Sequence, residues 1–327
     1  MLFENKIILI TGGTGSWGHE LVKQLLRKNP KEIRIFSRNE NNQVTMKRTF
    51  ESDPRLTFII GDVKEKDSVF KACENVDIVF HLAALKHITV CEEQPNEALK
   101  TNLLGTQYVI DGAIANKVKK VIYVSSDKAA NPANFYGFTK SIGEKLVIHA
   151  NTLSKDTKFV CIRAGNVLGS NGSVIHVFKK QIKDRQKITI THKDMTRFFL
   201  TLEEAISLLF KAADESRGGE IFVMKMPSCR IVDLAEVLGK TLNVKKIEME
   251  ELGIRPGEKL HEILFTQYES VNTIIYDSDY FVILPVIEIK GLNEHYRNCE
   301  QVNLSSYESC DYLMSKEEIQ NMLKKGK

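Results

Sequence analysis

Residues 6–18 have the sequence K-I-I-L-I-T-G-G-T-G-S-W-G. The apolar, β-branched run 6–11 predicts a buried strand of the parallel type. Gly12, Gly15 and Gly18 follow with the spacing GxxGxxG. Glycine permits a tight turn and lets the backbone approach a pyrophosphate, while the next helix would present free N–H groups and the positive end of its dipole. We therefore predict a strand–turn–helix unit that binds a dinucleotide, and a glycine-rich turn without a ligand is the alternative.

Strands and helices alternate in the pattern that follows this unit. Further short apolar runs predict strands at 32–36, 56–60, 76–80, 118–124 and 159–163. This alternation predicts an α/β fold with a doubly wound parallel (Rossmann) sheet. Beyond Gly165 the pattern changes, so we divide the chain into a Rossmann domain, 1–165, and a smaller substrate-binding lobe, 166–327. The division allows for one or two elements of the lobe that return to the Rossmann sheet.

The composition is that of a globular protein of 327 residues, 43% hydrophobic and 27% charged. A net charge of +4, without a basic stripe that contains aromatic residues, argues against a nucleic-acid partner. The six cysteines form no CxxC pair and no zinc-type spacing, so we expect free thiols, a cytoplasmic location and no metal, with no metal role for His81 or His87. No run reaches the roughly 18–20 apolar residues of a membrane span.

Residues at the ends of the predicted strands suggest which dinucleotide binds. An NAD-binding fold usually places an acidic residue after its second strand, but this chain has Ser37 and Arg38 there. A guanidinium suits a 2′-phosphate, so we predict NADP over NAD, with an exposed loop arginine as the alternative. Asp62, beside Val63, could accept from the adenine amino group or cap a helix. The other predicted cofactor contacts are Thr14, Ser16, Trp17, Leu82, Ala83, Ala84, Lys86, Asn102, Tyr136 and Lys140.

The stretch 121–140 carries the predicted chemistry. A buried strand ends in Ser125-Ser126-Asp127-Lys128, and a helix begins near Phe135. Tyr136 and Lys140 are four residues apart and share one face of that helix. A nearby ammonium lowers the pKa of a phenol from its usual value of about 10, so Tyr136 could take a proton from a sugar or alcohol hydroxyl. A tyrosine and a lysine on an ordinary helix face are the alternative.

Several of these motifs resemble a known family. T-G-G-T-G-S-W-G at 11–18 and Y-G-F-T-K at 136–140 resemble the extended short-chain dehydrogenase/reductase superfamily. Five further stretches resemble the bacterial UDP-N-acetylglucosamine 4,6-dehydratases that invert C5: I-F-S-R-N-E at 35–40, A-A-L-K-H at 83–87, S-D-K-A-A-N-P at 126–132, M-T-R-F at 195–198 and R-P-G-E-K-L-H-E at 255–262. The resemblance implies an NADP-dependent lyase of bacterial surface-sugar biosynthesis, of the pseudaminic acid type.

This resemblance implies roles for the catalytic candidates. Tyr136 would remove the 4-hydroxyl proton as NADP+ accepts a hydride, Lys140 would bind the nicotinamide ribose, and Ser126 would hydrogen-bond the same sugar oxygen. Lys128 would take the C5 proton, which requires a depressed pKa. Asp127 would protonate the departing 6-hydroxyl, and the hydride would return to C6. An ion pair at a strand end is the alternative for Asp127 and Lys128.

The resemblance also implies a UDP-sugar site and a homo-oligomer. Arg197, Arg255 and Glu258 would grip the nucleotide, with surface salt bridges as the alternative for the two arginines. Asn166 would position sugar or phosphate oxygens, and Lys86 would reach the substrate. Helices near 97–115 and 136–153 would form a four-helix contact between subunits of a dimer or hexamer.

One position departs from the family pattern. The family usually reads R-Y-G-N where this chain has R-A-G-N at 163–166. Ala164 enlarges the site and removes a hydroxyl. The alternatives at this position are therefore an enzyme of a partial reaction that makes or uses a UDP-sugar 5,6-ene, and a dehydratase that holds the C5 configuration. A UDP-hexose 4-epimerase, which keeps C4 oxidation but does not lose water, is a separate enzymatic alternative. An NADP-sensing regulator without catalysis is the non-enzymatic alternative.

Overall fold

A computed structural model describes residues 2–169, 173–184, 187–244 and 247–326. Its strands, in chain order, are β1 (Ile7–Thr11), β2 (Glu32–Ser37), β3 (Leu56–Ile60), β4 (Ile78–His81), β5 (Lys120–Val124), β6 (Lys158–Arg163), β7 (Asn166–Val167), β8 (Ile188–Ile190), β9 (Thr196–Leu200), β10 (Ile221–Met224), β11 (Ser228–Arg230), β12 (Met249–Glu251), β13 (Ile263–Phe265), β14 (Thr273–Ile275), β15 (Tyr280–Ile283), β16 (Glu300–Gln301) and β17 (Tyr307–Glu308).

Helices lie on both faces of the main sheet and in the second half of the chain. They are α1 (Ser16–Leu26), α2 (Glu40–Thr49), α3 (Lys66–Ala72), α4 (Ile88–Glu93), α5 (Pro95–Leu99), α6 (Gly105–Ala115), α7 (Phe135–Leu153), α8 (Val174–Lys183), α9 (Leu202–Glu215), α10 (Ile231–Thr241), α11 (Gln267–Ser270), α12 (Leu292–Tyr296) and α13 (Lys316–Lys325). A π-helical turn, Lys100–Leu104, joins α5 to α6.

The main sheet has the order β16-β14-β15-β10-β6-β5-β4-β1-β2-β3 among the described residues. The strands from β3 to β10 in this order pair in parallel, and β15, β14 and β16 continue the sheet antiparallel. The segment β3-β2-β1-β4-β5-β6 has the order of doubly wound dinucleotide-binding proteins. The predicted Rossmann-type α/β fold is therefore confirmed.

Burial on both faces explains why the first strand could be identified from its sequence. Ile8, Leu9 and Ile10 of β1 are fully buried, as a parallel strand covered by helices on each face requires. Helix α1 buries Leu21 and Leu25, which are four residues apart and therefore share one face. The turn between β1 and α1 is thus held between two well-packed elements at the carboxyl edge of the sheet.

The second half of the chain contributes more to this sheet than the one or two elements that we allowed for. Four of its strands, β10, β14, β15 and β16, extend the sheet beyond β6. They cover an edge whose free N–H and C=O groups would otherwise be exposed. Strands β14, β15 and β16, of two to four residues each, are too short for hydrophobic periodicity to reveal. The division at 165/166 stays a prediction.

A separate hydrophobic cluster lies in the second half of the chain. It includes Phe178 of α8, Leu234 of α10 and Ile319 of α13, all buried. Helix α13 begins after Ser315, whose hydroxyl accepts from the Glu318 N–H at 3.3 Å and so caps the helix. None of the helices that the structure describes has the length and apolar content needed to cross a membrane.

Candidate active site

A cavity of about 640 Å³ lies along the carboxyl ends of β1, β2, β4 and β5. Ligands of doubly wound sheets bind at this edge, where the strand order reverses between β1 and β4. Most of the predicted cofactor contacts line it: Gly12, Thr14, Gly15, Ser16, Trp17, Gly18, Ser37, Arg38, Asp62, Val63, Leu82, Ala83, Ala84, Lys86, Tyr136 and Lys140. The predicted catalytic residues Ser126, Asp127 and Lys128 line the same cavity. The fold thus brings residues from distant parts of the chain to one site.

The glycine-rich turn is shaped by two close approaches of the backbone. Gly12 has a φ of +68°, and a Cβ there would lie 2.8 Å from the backbone of Ala83. A Cβ on Gly18 would lie 1.9 Å from the carbonyl oxygen of Gly13, so only glycine lets α1 start against the turn. Gly15 is the N-cap of α1, and the first turn of this helix has no acidic residue. These features fit a phosphate at the helix N-terminus.

Arg38 lies at the mouth of the cavity. Its side chain is 55% exposed, and its Nη1 atom is 3.7 Å from Oδ2 of Asp62. The other oxygen of Asp62, Oδ1, accepts from the Lys64 N–H at 3.0 Å, which closes a local turn. Arg38 is therefore available to a phosphate, whereas Asp62 already has partners within the protein.

Ser126, Asp127 and Lys128 form a hydrogen-bonded group after β5. Oδ1 of Asp127 accepts from the Ser126 hydroxyl at 2.8 Å and from Nζ of Lys128 at 2.9 Å. The Asp127 side chain is 1% exposed, and its Oδ2 atom has no hydrogen-bond partner among the described residues. The Asp127 N–H donates to the carbonyl of Ala164 at 3.1 Å, so the group is anchored to the end of β6.

Tyr136 is the second residue of α7, and it lines the cavity. Burial raises the pKa of this phenol to about 12, and the charge of Lys128 and an interaction with the Ser126 hydroxyl oppose the rise. The spacing along the helix predicted that Lys140 supplies the stabilising ammonium. The pKa of Tyr136 is raised and not lowered as predicted, because burial outweighs the nearby charge. Lys140 extends over β5, where its Nζ atom lies 4.0 Å from the centre of the Tyr123 ring.

Lys140 is itself strongly perturbed. Its side chain is buried, and this burial lowers its pKa to about 7, although Glu144 one turn later acts in the opposite direction. Glu144 is held by Arg163 of β6, with Nη2 and Nε at 2.7 and 2.9 Å from its two oxygens. Lys140 therefore lies between an aromatic face and a buried ion pair, neither of which the sequence analysis identified.

Lys128 differs from the sequence prediction in its ionisation. Burial alone would lower its pKa, but Asp127 and Glu262 outweigh that effect, so its pKa is raised rather than depressed. Glu262 is 2% exposed, and its Oε1 atom lies 3.5 Å from Nζ of Lys128. Sequence reasoning missed Glu262, although it closes the stretch R-P-G-E-K-L-H-E, because no spacing relates position 262 to position 128.

A second cavity of about 390 Å³ adjoins the first through Lys86, His87, Asn166 and Val167. Arg197, Arg255 and Glu258 line this second cavity, as do apolar side chains such as Phe178 and Met195. The Arg255 side chain is 63% exposed and lies 3.7 Å from Glu258 Oε1. The predicted substrate residues are thus brought together, next to Asn166 and Lys86.

Two residues that were predicted to contact ligands form hydrogen bonds within the protein instead. Arg197 donates to the carbonyls of Thr196, Leu260 and Lys259 at 2.7, 3.1 and 3.0 Å, so most of its guanidinium is committed to backbone. Asn102 does not line either cavity. Its amide pairs with the backbone N–H and carbonyl of Leu85 at 2.8 and 2.9 Å, so it orders the loop after β4 instead.

A known protein family and several known proteins match this chain over most of its length. The profile of the polysaccharide biosynthesis protein family matches residues 8–284. The chain belongs to this family. Within the polysaccharide biosynthesis family it is similar to a UDP-N-acetylglucosamine 4,6-dehydratase (inverting) from Campylobacter jejuni, with 44% identity over 291 residues, 88% of this chain and 85% of that protein. The resemblance predicted from the motifs, to extended short-chain dehydrogenase/reductases and to this dehydratase, is confirmed.

Two further similar proteins bear on the alternatives. A UDP-glucose 4-epimerase from Rickettsia rickettsii is 43% identical over 274 residues, 82% of this chain and 80% of that protein. The crystal structure of Pen from Bacillus thuringiensis matches with a TM-score of 0.92 and 41% identity, covering 99% of this chain and 100% of that chain. The similarity in fold therefore extends over nearly the whole chain.

Proposed function

We propose that the protein is an NADP-dependent UDP-N-acetylglucosamine 4,6-dehydratase that inverts C5. The observation that carries this proposal is the hydrogen-bonded group of Ser126, Asp127 and Lys128, which shares one cavity wall with Tyr136. A hydroxyl, a carboxyl, an amine and a phenol in one place supply the proton carriers that dehydration of a hexose needs. The similarity to the dehydratase from Campylobacter jejuni supports the choice of substrate.

The first cavity fits a dinucleotide. Gly12 and Gly18 let the backbone turn tightly at positions where a Cβ would collide with other backbone atoms, and the N-terminus of α1 would hold the pyrophosphate. The exposed guanidinium of Arg38 suits a 2′-phosphate. When bound, the nicotinamide supplies the chemistry of hydride acceptance and return. Isothermal titration should show that Arg38→Ala weakens NADP binding about tenfold or more while NAD binding changes little, and equal losses would argue against NADP.

The Asp127–Lys128 hydrogen bond suggests how one proton serves both partners. Transfer of the proton from Nζ of Lys128 to Oδ1 of Asp127, across 2.9 Å, leaves a neutral amine beside a neutral carboxylic acid. The amine can then take the C5 proton, while the acid gives its proton to the departing 6-hydroxyl. Water leaves, and the ammonium and carboxylate of the resting pair are restored. In this scheme Tyr136 takes the 4-hydroxyl proton as a phenolate, which the charge of Lys128 and the Ser126 hydroxyl favour against burial. Ser126 would lie against the same sugar oxygen.

The substrate nucleotide would occupy the second cavity. Asn166 and Lys86 line both cavities, so a UDP-sugar there would direct its hexose towards the catalytic residues. Arg255 is exposed enough to meet a diphosphate, and Glu258 could accept from ribose hydroxyls.

Mass spectrometry of the product tests the proposal. Incubation with UDP-N-acetylglucosamine should yield a product lighter by one water, and NMR in heavy water should show exchange at C5. Unchanged substrate at high enzyme concentration would refute the proposed function.

Asp127→Asn separates dehydration from 4-epimerisation, since an epimerase should be largely indifferent to it. Loss of turnover in Tyr136→Phe would argue against a regulator that only senses NADP.

A second candidate is an enzyme of a partial reaction, which makes or uses a UDP-sugar 5,6-ene. Ala164 favours this candidate because it lines the cavity beside Asn166, and its carbonyl accepts from the Asp127 N–H. A methyl group there leaves space that the family tyrosine would fill and provides no hydroxyl. An olefinic C6 signal in the product NMR spectrum would identify this activity.

We also infer that the protein is a homo-oligomer assembled through α6 and α7. Phe138 and Ile142 are four residues apart on α7, and they are 50% and 48% exposed. Leu104, just before α6, is 41% exposed. Apolar side chains on adjacent helix faces are typical of a helical subunit contact. Cytoplasmic location and the pseudaminic acid type of pathway stay predictions.

A further inference from the structure

Glu262, which has no role in the proposed reaction, lies at the centre of a buried group of charges. Its Oε1 atom is 3.5 Å from Nζ of Lys128 and 3.6 Å from Nε of Arg197. Its Oε2 atom is 3.5 Å from Nζ of Lys259. All four side chains are at most 17% exposed, so their charges act on each other with little screening by solvent.

The backbone of Glu262 is fixed from the C-terminal part of the chain. Its N–H donates to the Ser309 hydroxyl at 2.9 Å, and the Ser309 N–H donates back to the Glu262 carbonyl at 2.9 Å. Strand β13 begins at the next residue and pairs with β17. The position of the carboxylate therefore depends on residues near 309, for which the sequence offered no role.

We propose that Glu262 is a positioning residue that keeps the proton shared by Asp127 and Lys128 on that pair. This inference rests on the proposed function. The pair is active in dehydration only while it holds this proton, because the departing 6-hydroxyl receives it. A carboxylate 3.5 Å from the amine stabilises the protonated pair by direct electrostatic attraction.

The charges around Lys128 determine the pH at which the pair releases the shared proton. Asp127 and Glu262 face it as anions, Arg197 faces it as a cation, and the Tyr136 phenol lies close enough to respond to its charge. Lys259 acts on Glu262 from the other side, and its Nζ also donates to the carbonyl of Ala130 at 2.8 Å. Loss of the Glu262 charge leaves Arg197 to repel the shared proton. The pair should then release it at lower pH.

The test compares dehydration rates at saturating substrate across the alkaline range. Glu262→Gln should lose dehydration at a pH lower by at least about one unit than the wild type, the shift expected for removal of an opposite charge at this distance. Glu262→Asp keeps the charge and should restore most of the alkaline activity. Glu236→Gln, which removes a carboxylate paired with Lys316 on the surface, is the matched control.

A second measurement does not depend on turnover. In protein labelled with ¹³C-lysine, the ε-carbon resonance of Lys128, assigned by its loss in Lys128→Arg, should titrate at lower pH in Glu262→Gln. If Glu262→Gln does not fold, Arg197→Gln tests the same electrostatic effect. This variant removes the cation that repels the shared proton, so the pH at which dehydration is lost should rise.

The outcomes separate the two proposals. A wild type that forms no dehydrated product at any pH refutes the proposed function. A wild type that dehydrates, with Glu262→Gln losing activity at the same pH and Lys128 titrating as before, refutes the role of Glu262 alone.

Discussion

Replacement of Lys140 by methionine tests the electrostatics of the catalytic helix. Burial lowers the pKa of Lys140 to about 7. Methionine has a similar length and no charge, so Lys140→Met removes the titrating group with little change in packing volume. The wild-type protein must bury a group that prefers to be charged in water, and the variant does not. We therefore expect Lys140→Met to be the more stable protein at neutral pH.

The magnitude of this stability difference follows from its dependence on pH. An unfolded lysine titrates near pH ~10.4. Between about pH 7 and that value the unfolded chain binds a proton at this position that the folded protein lacks, so the contribution of Lys140 to the free energy of unfolding rises with pH. The slope is about 1.4 kcal/mol per pH unit. The advantage of the variant should therefore shrink by about 3 kcal/mol between about pH 7 and about pH 9.5, and should stay constant below about pH 6.

Equilibrium unfolding in guanidinium chloride measures this difference, with the protein concentration held constant because oligomers unfold in a concentration-dependent way. Lys23→Met, which removes a half-exposed ammonium from α1, is the matched control for the loss of one lysine. If the difference in the free energy of unfolding between wild type and Lys140→Met is the same at neutral and alkaline pH, Lys140 remains charged in the folded protein. The assignment of a desolvated amine beside Tyr123 would then be wrong.

Three further outcomes are expected. Arg163→Met should lower the free energy of unfolding by about 3–5 kcal/mol, because it leaves the buried carboxylate of Glu144 unpaired; a loss below about 1 kcal/mol in denaturant titration would contradict this. Gly12→Ala should weaken NADP binding about tenfold or more in calorimetry, because its Cβ would collide with the backbone of Ala83 at a φ of +68°; unchanged affinity would exclude the turn as the binding site. Phe138→Glu should convert the oligomer to a monomer in light scattering, and a wild type that is already monomeric would remove the proposed α7 contact.

The amino-acid sequence by itself determined the Rossmann half of the protein. Strand β1 and the glycines after it could be identified because a strand buried on both faces is uniformly apolar and because Gly12 and Gly18 occupy positions where the backbone leaves no space for a Cβ. That Tyr136 and Lys140 lie on one face of one helix followed from the helical repeat alone. The apolar run, the glycine spacing and the helical repeat are patterns of neighbouring residues, and so the sequence contains them, although the approach of Ala83 to Gly12 depends on the fold.

Only the tertiary structure decided how the charges are arranged. Lys140 turns towards Tyr123, Lys128 is paired with Glu262, and Arg197 is committed to backbone carbonyls. Each of these contacts joins segments that are far apart in sequence or depends on which way a long side chain turns, and no periodic pattern encodes either. Ionisation depends on burial and on charges within a few ångströms, so it could be assigned only after folding had placed residues 128, 197 and 262 around one site.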